Sequence, residues 1–311
     1  MDFEDARALA DDLGVNLLLA SDSISAPLLG VLAAALFGIS ALPAKRGLRF
    51  VNAETGCLIT MATTWVVCLL LGPLWMRKED WFTGGFWVFA LAGLIHPYLS
   101  MYASLEALKR AGTTVASTLA ATAPFFSTLG AVLFLGEDLT IAVALATVGI
   151  VAGVMVLTFD GFRMARVIRI ALIFASIAAV IRGSTHVIGK WGLELLPNPF
   201  MATFVAFSMG LICMTIFFRL RHGHLPRDLP SDGVKYFFYS GLCIAFAIIS
   251  MYGALMLGRV VVISPIIASY PVFTLLSVWA LSAERISRRL VLGVLMVTTG
   301  VVVIALVGGA G

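Results

Sequence analysis

The residues of this sequence best suited to chemistry stand one helical turn apart: Arg182 and His186, with Ser184 and Thr185 between them. A spacing of four puts guanidinium and imidazole on the same face of a helix. Such a pair can hold an anion, Arg182 contacting the anionic group and His186 acting as hydrogen-bond partner or titrating group. Both residues fall in a long apolar stretch, 167–190, where an ionisable side chain is costly and is a functional candidate by default. Arg182 lies about 12 Å from the expected end of that helix at 1.5 Å per residue. Snorkelling of its long side chain toward the surface is therefore a second account, and both stay open. His96, beside Pro97, is either a core histidine bonded to a neighbouring helix or a proton carrier. Tyr102, Tyr252 and Tyr270 carry hydroxyls that need partners in dry surroundings. Ser117, Ser264 and Trp65 complete the candidate substrate-binding residues, and packing alone would also explain each of them.

The missing residues are equally informative. No apolar stretch has a carboxylate at its middle: Glu54, Glu106, Glu137 and Glu284 all fall near the ends. Glu137 and Glu284 are expected to cap or anchor the next helix start, and Lys45 and Lys190 to complement the C-termini of their own helices. Gly183-Ser-Thr-His-Val-Ile-Gly189-Lys190 departs from a phosphate-binding loop in its glycine spacing and has Trp191 where Ser or Thr is needed. His222 and His224 lie in a basic loop without a third ligand at metal spacing. Cys57, Cys68, Cys213 and Cys243 sit in apolar runs and read as small core residues. No HExxH, GxSxG or paired-carboxylate arrangement occurs, so an enzyme is not expected, nor a metal or cofactor.

These residues must be positioned by apolar elements. The chain has 311 residues, 60% hydrophobic and 12% charged, with a mean hydropathy of +1.03. Ordinary soluble domains are about 25% charged. So much apolar surface cannot be hidden in a water-soluble fold of this size, and the sequence reads as an all-α integral membrane protein. Apolar runs give ten candidate spans, at 24–44, 53–75, 84–106, 113–135, 139–158, 167–190, 199–218, 233–256, 260–282 and 288–308. Continuous apolarity makes them helices, since an unpaired strand edge cannot sit in lipid. Residues 1–22 form an acidic N-terminal tail without the basic region of a signal peptide.

The spans repeat. A shift of 145 residues superposes Gly38 on Gly183, Lys45 on Lys190 and Gly47 on Gly192. A shift of 147 superposes Ser117 on Ser264, Pro124 on Pro271, Glu137 on Glu284 and Gly153 on Gly300. Ser100-Met-Tyr-Ala matches Ser250-Met-Tyr-Gly at a shift of 150. The ordered series predicts a duplication, with repeats at 23–159 and 160–311. Five spans per repeat is an odd number, so the two copies enter the membrane inverted. Counted on that topology, one side of the membrane holds 15 Lys and Arg and the other five. The positive-inside rule makes the richer side cytoplasmic and puts both termini outside. The equivalents of Arg182 and His186 in the first repeat are Phe37 and Ala41, so polarity has been acquired on one side only.

The stretch Tyr102-Ala-Ser-Leu-Glu-Ala-Leu, then Ala116-Ser117, Pro124, Leu135-Gly136-Glu137, Gly149 and Gly153, resembles an EamA domain. Its second copy is Tyr252-Gly-Ala-Leu, Ser264, Tyr270-Pro271, Glu284 and Gly300, with Ser282-Ala283-Glu284 in place of the usual Leu-Gly-Glu. Two such domains resemble the drug/metabolite transporter superfamily. The resemblance implies a secondary transporter, often an exporter of amino acids, metabolites or drugs, working by alternating access. Inverted repeats suit that mechanism, and Pro97, Pro124 and Pro271 near mid-span either free backbone carbonyls for a cavity or shape the packing. Gly149 and Gly153 suit a close helix contact within the bundle.

The expectation is therefore a multi-pass transporter of the inner membrane that exports a small anionic or zwitterionic metabolite, of the amino acid or organic acid class. Small multidrug exporters, distant relatives by resemblance, use a mid-membrane glutamate in the first helix, which this chain lacks; a cationic drug is disfavoured. The alternative is a membrane-embedded lipid-modifying enzyme or an assembly subunit, which would need catalytic carboxylates or histidines clustered on one membrane face. The expected partners are the substrate and the lipid bilayer, not nucleic acid. A coupling proton and metabolite exchange both stay open, as does the oligomeric state.

Overall fold

The computed structural model describes residues 22–120, 122–158, 169–227, 229–282 and 288–308, and among these there is no strand. The first repeat comprises α1 (Asp22–Gly47), α2 (Ala53–Trp75), α3 (Gly84–Ile95), α4 (Tyr98–Ala120), α5 (Ala123–Gly130, continued as a wider turn to Leu135) and α6 (Ile141–Thr158). The second comprises α7 (Arg169–Leu195), α8 (Pro199–His222), α9 (Ser231–Leu257), α10 (Val260–Ile267), α11 (Tyr270–Ser282) and α12 (Arg288–Gly308). Among the described residues, six helical stretches are long and apolar enough to cross a membrane, and three shorter helices are apolar as well. Large apolar side chains such as Phe82, Phe134, Ile141 and Leu220 stand exposed on the outer surface. Exposure on that scale fits a hydrocarbon solvent rather than water.

Helix limits follow local chemistry. Asn52 caps α2 by accepting the Thr55 N–H at 2.8 Å, and Asn198 caps α8 by accepting those of Phe200 and Met201. Pro199 supplies the first position of α8, and Gly223 ends it in a left-handed conformation. Gly136, also left-handed, ends the α5 extension and turns Glu137 back toward the bundle. Pro97 separates α3 from α4, and Pro124 and Pro271 each occupy the second position of a new helix. The three prolines thus mark breaks in the apolar runs.

Equivalent glycines demonstrate the duplication. A Cβ on Gly38 would meet Phe273 Cβ, the Tyr270 carbonyl and Thr274 N at 2.5, 2.6 and 2.8 Å. A Cβ on Gly183 would meet Phe126 Cβ, the Ala123 carbonyl and Ser127 N at 2.7, 2.7 and 3.0 Å. These are the same three positions of α11 and α5, shifted by 147 residues. In the same way Gly93 sits on Ala206 and Met209 while Gly241 sits on Thr60 and Thr63. Equivalent helices also run antiparallel. In α2 and α8, Glu54 pairs with Arg221, Met61 meets Gly210, and Trp75 stacks near Phe200. In α6 and α12, Gly153 lies against Met296 and Gly300 against Ile150.

Some expectations need correction. α7 continues to Leu195, so Arg182 is its central residue, about 20 Å from either end at 1.5 Å per residue. Lys190 consequently ends no helix of its own; its ammonium donates to the carbonyls of Met256 and Gly258 and closes the C-terminus of α9. The charged loop expected after residue 106 is helical, inside α4. With Ser104 at Arg182 and Arg110 over Phe174, α4 runs antiparallel to α7, and Ala123 at the start of α5 lies beside Gly183. Gly153 makes the close contact foreseen for it, but Gly149 faces open space. The tail at 1–21, the central linker and Glu284 lie outside the described residues, as does the side chain of Ser117.

Candidate functional site

A cavity of about 260 Å³ lies between the repeats, walled by α1, α4, α7, α9 and α11, with Thr60 of α2 and Phe207 of α8 reaching it. Along α7 it is lined from Ala178 to His186 and no further. Beyond that point the helices are packed shut. Gly189 leaves space for the Tyr252 ring and Gly192 for the Phe89 ring, and the two rings meet edge to face at 5.3 Å. Both rings are buried completely enough to plug that half of the bundle. In the other direction the cavity reaches Ala44, Leu108 and Leu275, toward the end where α1 carries Lys45 and Arg46.

Arg182 enters this cavity at mid-helix. Its Nη2 donates to Ser104 Oγ at 3.3 Å, and its Cζ lies 5.4 Å from the centre of the Tyr270 ring. A hydroxyl and an aromatic face hold a guanidinium in place but do not neutralise it. Among the described residues no carboxylate forms an ion pair with Arg182, and none lines the cavity.

One turn along, His186 is almost fully buried, and its Nδ1 lies 2.7 Å from Ser264 Oγ. Ser264 in turn bonds Ser127 Oγ, whose hydroxyl donates to the Pro124 carbonyl at 3.0 Å. With the Ser127 hydrogen on Pro124, Ser264 donates to Ser127 and accepts from His186. Counting donors in this way assigns the neutral imidazole its hydrogen on Nδ1 and leaves Nε2 as an acceptor. His96, at the end of α3, lines the same cavity.

Of the nine residues singled out in the sequence, the fold brings Arg182, His186, His96, Tyr270 and Ser264 to this cavity. Tyr252 instead forms the aromatic plug. Tyr102 packs between the rings of Phe174 and Phe217. Trp65 donates from Nε1 to Ser208 Oγ at 2.9 Å and stacks on Phe204, tying α2 to α8. Ser264 pairs with Ser127 and His186, the side chain of its repeat equivalent Ser117 lying outside the described residues. Glu137 does cap a helix, but one in the other repeat: its carboxylate accepts the N–H groups of Val260 and Val261 at 2.8 and 2.9 Å. Glu54 is paired with both Arg221 and His222, so His222 belongs to a clasp between α2 and α8 rather than to a loop. Sequence reasoning missed the hydroxyls of Ser100 and Ser104, whose spacing of four was the available signal.

The profile of the EamA-like transporter family matches residues 24–159 and again 169–306. The chain belongs to that family. Its two EamA domains coincide with the two interlocking repeats, and the protein is a multi-pass membrane transporter of the drug/metabolite transporter superfamily. Twenty-nine chains of solved structures match this fold. One of them, a crystal structure, superposes with a TM-score of 0.72 at 18% identity, over 91% of this chain and 97% of its own. At that identity the likeness speaks to the fold alone. No curated protein matches the sequence.

In this EamA protein, equivalent positions of the two repeats line one cavity with different character. Arg182 and His186 come from α7, while Phe37 and Ala41, their equivalents on α1, line the same space. The second repeat thus brings a cationic group to the site where the first brings an apolar one.

Proposed function

We propose that this EamA transporter is a secondary transporter that exports small organic metabolites bearing an anionic group, anionic or zwitterionic, across the inner membrane by alternating access. The observation that carries the reading is Arg182, a guanidinium at mid-helix in the central cavity with only a hydroxyl and a ring for company. A guanidinium in the cavity of a membrane-spanning bundle is unfavourable without a counter-charge, which a ligand can provide. The ten apolar segments cross the membrane as two inverted sets of five, with both chain ends outside by the Lys and Arg bias. On that orientation the cavity faces the cytoplasm, and the Tyr252–Phe89 plug closes the outer half. Inverted repeats support an exchange of those roles between the halves.

The test is flux from proteoliposomes loaded with labelled amino acids and organic acids, comparing the parent protein with Arg182→Ala at matched folding. Saturable efflux that falls at least about tenfold in the variant supports the reading; removing a charged hydrogen-bonding partner costs that much or more. Flux of the same solutes unchanged by the substitution would discard Arg182 as the anchor. Absence of flux for every solute, with the protein shown to be folded, would count against transport of this class.

A further inference from the structure

We infer that the cavity selects monovalent organic anions with an apolar body over zwitterions, cations and dianions built on the same body. This rests on the transporter reading above and narrows its substrate class. Two observations carry it, one of charge and one of shape.

Among the described residues lining the cavity, Arg182 is the sole side chain with a permanent charge, and no Asp or Glu is present. The hydrogen-bond chain through Ser264 and Ser127 has His186 donating from Nδ1, and with both cavity imidazoles, His186 and His96, uncharged, the site carries the Arg182 charge alone. A ligand with one negative charge therefore brings the site to neutrality. A zwitterion satisfies Arg182 but carries in an ammonium that finds hydroxyls, carbonyls and an imidazole, with no carboxylate to compensate it. A cation meets like charge, and a dianion leaves one charge over. Uncompensated charge in a low-dielectric cavity is heavily penalised, so the single-charge ligand is favoured.

The symmetry of the repeats is broken in shape as well as in charge. Phe37 and Ala41 of α1 line the same cavity as Arg182, and Met101, Ile244 and Ile248 add to its apolar wall. An anionic head on Arg182 thus places the rest of the ligand against carbon. A small hydrophilic acid would leave that wall dry and unpaired with anything it can use, whereas an aryl or branched alkyl body fills it and displaces water.

Four ligands sharing one benzyl body separate these cases: hydrocinnamate, phenylalanine, phenethylamine and benzylmalonate, with charges of minus one, zero, plus one and minus two at neutral pH. Their binding to the purified full-length protein in nanodiscs would be measured by titration calorimetry, and their flux in proteoliposomes. The expected result is that hydrocinnamate binds about tenfold or more tightly than each of the other three. Arg182→Lys should keep that order at reduced affinity, and Arg182→Gln, checked for folding by thermal unfolding, should lose it. Phenylalanine binding as tightly as hydrocinnamate would overturn the charge balance while leaving the transporter reading in place. Failure of all four to bind would overturn the inference too. If the proteoliposomes then moved another solute, the transporter reading would survive; if they moved none, both would fall.

Discussion

Glu137 offers a quantitative test of how the two repeats are latched. The N-cap position of α10 is Arg259, whose side chain makes no capping hydrogen bond. Its carbonyl accepts the N–H groups of Val262 and Ile263, leaving those of Val260 and Val261 without a partner inside the helix. Glu137 reaches across from the end of α5 and accepts both, at 2.8 and 2.9 Å. Hydrogen bonds to a charged group contribute about 1.5–3 kcal/mol each, so the pair is worth about 3–4 kcal/mol allowing for non-additivity. Glu137→Gln keeps a single neutral acceptor worth about 1 kcal/mol, for a net loss near ~2 kcal/mol; Glu137→Ala loses nearly all of it. Local opening at the start of α10 should then rise roughly 30-fold in the first variant and more than about 100-fold in the second. Amide hydrogen exchange read by mass spectrometry on peptides covering residues 258–263, with the protein in nanodiscs, measures this opening directly. Acceleration confined to that peptide and ordered Ala above Gln above the parent is expected. Unchanged exchange in both variants would refute the cap, and uniform acceleration along the chain would show that Glu137 stabilises the whole fold rather than this junction.

Gly183→Ala and Gly38→Ala should each cost about 1–3 kcal/mol through overpacking, because the added Cβ meets backbone on α5 or α11. Gly149→Ala, with nothing within reach, should instead gain about 0.5–1 kcal/mol from helix propensity, and thermal unfolding of the three side by side checks both signs. Arg221→Met should cost under about 1 kcal/mol, since Glu54 keeps His222. Adding His222→Phe strands a nearly buried carboxylate and should cost about 3 kcal/mol in total, a non-additivity that a double-mutant cycle would read. Ser264→Ala removes the partner of both His186 and Ser127 and should destabilise by about 1–3 kcal/mol; a loss below the scatter of the measurement would refute the hydrogen-bond chain.

The architecture was legible because a membrane solvent leaves a chain few options. Continuous apolar runs had to be helices, and the register of Gly38 with Gly183 and of Pro124 with Pro271 was enough to see the duplication. That register reappears as contact: each glycine packs on the helix start that its own repeat's partner provides in the other half. Helix ends were harder. Gly192, Leu193 and Leu195 extend α7 past Lys190, and a lysine at residue 190 looked like an end because a charge inside an apolar run usually is one. It is tolerated because its ammonium reaches the carbonyl groups left open where α9 stops. The same kind of long-range partner was invisible for Glu137, whose sequence neighbours suggested a cap for the next helix.

The site was readable where the two repeats differ and obscure where they agree. Tyr252 and Trp65 looked polar enough to meet a ligand, but an indole N–H bonded to Ser208 and a ring wedged against Phe89 are what a dry bundle requires to bury them. Ser264 was noticed as the copy of Ser117, yet its partner is Ser127, which nothing in the repeat singled out. Arg182 and His186, by contrast, have no counterpart in α1, where Phe37 and Ala41 occupy their places in the same cavity. Pro97 is a second departure, for its equivalent in α9 is Ala247, and α9 runs unbroken while α3 and α4 part at His96. Packing constraints act on both copies alike, because each is packed against the other, so they preserve equivalence. A substrate meets both copies at once in a single cavity and has no such symmetry, so its demands fall on one copy and not the other. Positions that line the shared cavity and have diverged between the repeats are therefore where substrate recognition should be sought, and Arg182 with Phe37 and His186 with Ala41 meet both conditions.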